Sequence, residues 1–170
     1  MNGRERDEYR ALRATIRERG TVRVCVFAAG IAVWAAIALA TAVLTTTPLG
    51  VLLPLVLLAA VFEAVFALDA GTERIGRYLQ LFYEDRWEQV ASELRGSRVL
   101  AADALFIVPF LTAVLVNLAP VFVVNPVPVE WIFVGGAHGL VVLRLVAAVS
   151  AAARRRKADL ERLRELKPDH

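Results

Sequence analysis

Six residues have the types and positions to do chemistry in this chain: Glu63, Arg144, Asp69, Asp103, Asn117 and His138 all fall inside or at the edge of long apolar runs. In hydrocarbon a lone Arg costs about 2.5–3.5 kcal/mol even on lenient insertion scales, and a lone carboxylate largely neutralises itself. Arg144 lies ten residues before Arg154 and Glu63 ten before Glu73, so helical rise puts both about 15 Å from a charged boundary, near a bilayer midplane. Opposite charges at equal depth are expected to pair. Pro109 lies eleven residues after Arg98, at nearly the same depth, and its ring denies the Leu105 carbonyl a helical hydrogen bond. The planar fork of Arg144 has donors enough for Glu63 and for that carbonyl. Such a centre could lock helix register, or it could lie on a proton, ion or ligand pathway.

Asp69 and Asp103 form a second pair by depth, each five residues from an arginine, Arg74 and Arg98 respectively. Two neighbouring carboxylates could hold a cation or share a proton. Pairing with those arginines at the interface is the favoured reading, because long basic side chains snorkel there. His138 has no companion His or Cys at ligand spacing. It reads as a hydrogen-bonded interior residue, with Asn117 as its best candidate partner at similar depth.

The elements that must position these residues follow from hydropathy. Four runs are long enough to cross a membrane, at 23–45, 49–70, 99–124 and 131–153. They are joined by a short Thr45-Thr46-Thr47-Pro48 turn, a charged segment 71–98, and an extended link from Asn125 to Glu130. The expected fold is an all-α integral membrane protein, a single four-helix bundle with cytoplasmic helical extensions at 1–22, 71–98 and 154–170. Of the 20 Lys and Arg residues, seven lie in residues 1–23, five in 71–98 and seven after Ala153, and Arg144 is the exception. The positive-inside rule therefore puts both termini and the middle segment in the cytoplasm. The apolar run after the charged N-terminal stretch is too long for a cleaved signal peptide and reads as a retained anchor.

In the extensions, Leu79, Tyr83, Trp87, Val90 and Leu94 recur at helical spacing. Together with Tyr78 and Phe82 they could rest on headgroups or pack on another helix. Tyr9, Leu12 and Ile16 form one narrow stripe, Leu160 and Leu163 another, and the two could pack together. Arg154-Arg155-Arg156-Lys157 reads as an orientation signal. Ala28, Ala32, Ala36 and Ala40, with Gly135 and Gly139, form small-residue stripes of the kind that let membrane helices approach closely, and they predict packing within the bundle.

Composition agrees with a membrane solvent: 58% of residues are hydrophobic and the mean hydropathy is +0.55. Eighteen of the basic residues are Arg, and this with abundant Ala hints at a GC-rich bacterium, hence a bacterial inner membrane. One Cys and two His rule out a disulfide scaffold or a Cys/His zinc site. The net charge of +3 comes from basic residues interleaved with acids around apolar spans, which points to anionic lipid rather than nucleic acid. No G-x-S-x-G, G-x-x-x-x-G-K-S/T, H-E-x-x-H or C-x-x-C pattern occurs, so neither an enzyme nor a cofactor is expected. The leading expectation is a scaffold or accessory subunit that docks a protein partner, a homo-oligomer or membrane lipids through its cytoplasmic helices. The alternative is a small transporter or channel with a pathway past Glu63 and Arg144.

Overall fold

The computed structural model describes residues 3–83 and 99–166, with side chains over 3–83 and 107–166. The described chain is helical with no strand: α1 (Gly3–Leu44), a 3-10 turn (Pro48–Val51), α2 (Leu52–Phe82), α3 (Val99–Leu118), a single turn α4 (Val121–Val124) and α5 (Pro128–Glu165). Four of its helices are long and apolar enough to cross a membrane.

The helices run through three of the expected segment limits. Gly3–Leu44 is one helix of 42 residues, α2 runs on past residue 70 to Phe82, and α5 passes from its apolar run into the charged tail without a break. Nothing local stops them: no proline lies within 3–44, and Gly20 at the polar–apolar junction weakens a helix by only about 1 kcal/mol. At 1.5 Å per residue α1 is about 63 Å long, roughly twice a bilayer's hydrocarbon core. The remainder of the expected extension, with Trp87, Val90 and Leu94, lies outside the described residues.

Where the chain does turn, prolines and short hydrogen bonds explain it. The Thr45 amide and hydroxyl both bond the Thr41 carbonyl, at 3.0 and 2.6 Å, and Pro48 then opens the 3-10 turn. The third span, expected as one unit to Val124, instead breaks after Leu118. Pro120 has no amide hydrogen to continue the ladder, and the Ala119 and Phe122 amides tighten onto the carbonyls three residues back. Asn125, with φ 49°, takes the left-handed conformation that ends this turn. The Val127 amide then donates to Glu130 Oε2 at 2.9 Å, and Pro128 starts α5 at a position where no amide donor is needed.

Helix α2 is the hub, packing against α1, α3 and α5, while α3 and α5 also meet. Leu55, Leu58, Phe62 and Val65 of α2 face Phe110 and Val114 of α3 and Leu145 and Ala148 of α5. The Phe110 ring meets Phe62 edge-on at 5.2 Å and Phe27 of α1 at 5.6 Å, a geometry that aromatic quadrupoles favour. Helix α1 lies close against α2 at Gly30, where an added Cβ would lie 2.5 Å from Val61 Cγ1.

The small-residue stripes do not pack as expected. Ala28, Ala32, Ala36 and Ala40 are all exposed, and α1 turns Phe27, Ile31 and Trp34 toward α2 instead. Large side chains gain more dispersion contact in a seam than alanines do, and Gly30 supplies a close approach within that seam. Gly135 and Gly139 of α5 also face outward, with no atom near where their Cβ atoms would be.

Candidate functional site

Arg144 Nη2 of α5 donates to Glu63 Oε2 of α2 at 2.8 Å. The guanidinium also lies over the rings of Phe62 and Phe66, 5.7 and 5.5 Å from their centroids, which are attractive positions for a cation. This pair sits on the flank of the bundle rather than in its core: the side chains of Arg144 and Glu63 are 42% and 48% exposed. Leu105, whose carbonyl was the suggested third member, lies in the part of α3 whose side chains are outside the described residues, although α3 does run through Pro109 as helix.

Asn117 and His138 come together in the interior, 3% and 4% exposed. His138 Nδ1 is 2.8 Å from the Val134 carbonyl, which can only accept, so this nitrogen carries the proton. Nε2 is then the acceptor for Asn117 Nδ2 at 3.1 Å, and the same amide donates to the Val51 carbonyl at 2.9 Å. The network ties α3 and α5 to the turn that precedes α2. Both His138 ring nitrogens and the Asn117 amide nitrogen are occupied, which suits a structural clasp.

Asp69 pairs with Arg23 of α1, not with Arg74 as expected; Arg74 instead approaches Asp159 at 3.5 Å. The arginine that reaches Asp69 comes from the neighbouring helix, at the same level in the stack. Asp103 is on α3, but its side chain is outside the described residues, so the suggested Asp69–Asp103 pair is outside them too.

Below the apolar segments lies a network that sequence reasoning missed. Arg156 grips Glu73 with both Nε and Nη2, at 3.1 and 2.8 Å, and Arg77 bridges Glu73 at 3.3 Å and Asp159 at 2.9 Å. Arg156 belongs to the run Arg154–Lys157, whose position after an apolar span reads in sequence as an orientation signal. The signal that could have found it was Glu73 and Arg77 one turn apart, facing a helix with Arg156 and Asp159 at the matching spacing of three. The N-terminal stripe also lands on α2, where Tyr9 meets Tyr83 at 5.6 Å and Tyr78 donates to Glu8 at 3.0 Å, rather than on Leu160 and Leu163. The Tyr78 phenol is raised above its ordinary range and that of Tyr83 is pushed up to about 12, in both cases by burial first and then by the hydrogen bond and charge of Glu8.

Cavities among the described residues include three at different levels of the bundle. A crevice of about 40 Å³ lies between Phe62, Phe66 and Phe110, and a polar one of about 290 Å³ beneath it is lined by Asp69, Glu73, Arg74, Arg77, Arg155 and Asp159. A third, of about 280 Å³, sits at the opposite end beside Thr45 and Pro48. Glu63 and Arg144 line none of the three. Comparison with protein-family models, curated proteins and solved structures returns no match.

Proposed function

We propose that this chain is a four-span protein of a bacterial inner membrane, with both termini in the cytoplasm, and that it works as a non-enzymatic scaffold or accessory subunit. The observation carrying the reading is the set of helices that outrun their apolar segments. Helices α1, α2 and α5 each continue as charged extensions, joined through Tyr78–Glu8, Arg156–Glu73 and Arg77–Asp159. A stalk held by specific pairs is a rigid platform for a partner or a lipid surface, whereas a mere orientation signal needs only charge. The alternative pathway past Glu63 and Arg144 has less support, because they flank the bundle and line none of the three cavities described above.

Purification from native membranes, with identification of co-eluting proteins, combined with ion flux in liposomes tests the reading. The expected result is a stable companion that is lost when residues 154–170 are removed, with no flux. Flux through the purified chain that disappears in Glu63→Gln would overturn it in favour of transport.

A further inference from the structure

An ion pair that is nearly half exposed suits water but not hydrocarbon. If α2 and α5 span a bilayer, Glu63 and Arg144 face lipid at mid-depth, where screening is absent and every unused polar group is costly. Among the described residues the pair makes one hydrogen bond, from Nη2 to Oε2. The guanidinium has five N–H donors and the carboxylate two oxygens, so both retain hydrogen-bonding capacity at an exposed face.

The surface around them has a pattern. Leu53, Val56, Ala60, Glu63 and Ala67 are all exposed and follow one another at spacings of three, four, three and four along α2. That is the heptad stripe of a helix that packs lengthwise on another helix. The alanines flanking Glu63 permit close backbone approach. The inward face of α2 is already spent on α1, α3 and α5, so this stripe is a second, unused seam.

The geometry points to a second copy of this chain as the occupant of that seam, packed about a two-fold axis so that each Glu63–Arg144 pair closes on the other. This rests on the membrane reading above. The argument for a copy is charge complementarity: the face offers a spare cation donor and a spare anion acceptor side by side. A two-fold partner brings the same two groups in reversed order, with no net charge left over. In the closed ring each Arg144 bridges two carboxylates and each Glu63 accepts from two guanidiniums. The polar centre is complete only in the dimer.

Cysteine cross-linking of the full chain in its own membranes tests the assignment. In a Cys25→Ser background, Ala60→Cys is compared with Leu39→Cys, which is 68% exposed but lies on α1. Each sample is first washed with alkaline carbonate. The expected result is retention of the chain in the membrane and a band of twice the chain mass, several-fold stronger for Ala60→Cys than for Leu39→Cys. Ala60→Phe, which changes an outward side chain, is expected to shift labelled protein in dilute liposomes from two-step to one-step photobleaching. Release by carbonate would overturn the membrane reading and the dimer with it. Retention with equal or absent bands at the two positions, or an adduct of any other mass at Ala60→Cys, would overturn the dimer alone.

Discussion

Removing Glu63 leaves the Arg144 guanidinium over two phenyl rings without its carboxylate, and removing Arg144 leaves the Glu63 carboxylate without its cation. Glu63→Ala and Arg144→Ala are each expected to destabilise the fold by about 2–3 kcal/mol, and the double variant by clearly less than the sum. Reversible unfolding in mixed micelles measures this. Asn117→Leu strands the Val51 carbonyl and His138 Nε2 in the interior, and the same assay should show a loss of about 1–3 kcal/mol. The tyrosines give a pH signature. Because the Tyr78 and Tyr83 phenols lie above the ordinary value of 10.0, the folded state is favoured below that pH, and the advantage is lost as pH rises through their raised values. Glu8→Gln should bring phenolate absorbance in at lower pH; an unchanged alkaline titration would count against the contact.

Among the elements, the α1–α2 seam depends on one missing methyl group. Gly30→Ala drives a Cβ into Val61 and should cost about 1–3 kcal/mol, with Val61→Ala restoring part of it in a double-mutant cycle. The four long helices were legible because hydropathy over some twenty residues is a strong signal, and so was the meeting of Glu63 with Arg144, because helical rise converts sequence distance into depth. Rotation about each helix axis was not legible. A span is apolar all round, so nothing in Ala28, Ala32, Ala36 and Ala40 says whether they face a neighbour or lipid. Helix ends were equally hidden, since Gly20 permits continuation and Pro120 enforces a stop inside an unbroken hydrophobic run. The partner of Asp69 escaped because counting along one helix favoured Arg74, whereas Arg23 arrives from another.

For the molecule as a whole, α2 and α5 carry both the apolar core, which they share with α1 and α3, and the charged network at one end of it. The Glu73–Arg77–Arg156–Asp159 network is 12–20% exposed at its side chains, so its pairs are partly shielded and geometrically matched rather than loose surface contacts. Arg156→Ala should make trypsin cut within residues 154–164 several-fold faster while leaving unfolding of the apolar bundle nearly unchanged. A matching loss of bundle stability would show the core and the network to be one cooperative unit. Most of this stalk was invisible beforehand, because charged residues on solvated helices pair by relative rotation, which composition does not encode.

The lopsided packing of α1, which leans on α2 and little else, also bears on how the chain is made. Among the described residues its packing on α2 is complete once Tyr83 has left the ribosome, and the Phe27–Phe110 contact is added later, so the first helical hairpin can close before α3 is synthesised. The later pair α3 and α5 can then dock onto an existing surface of α2, an order in which translation and assembly run together.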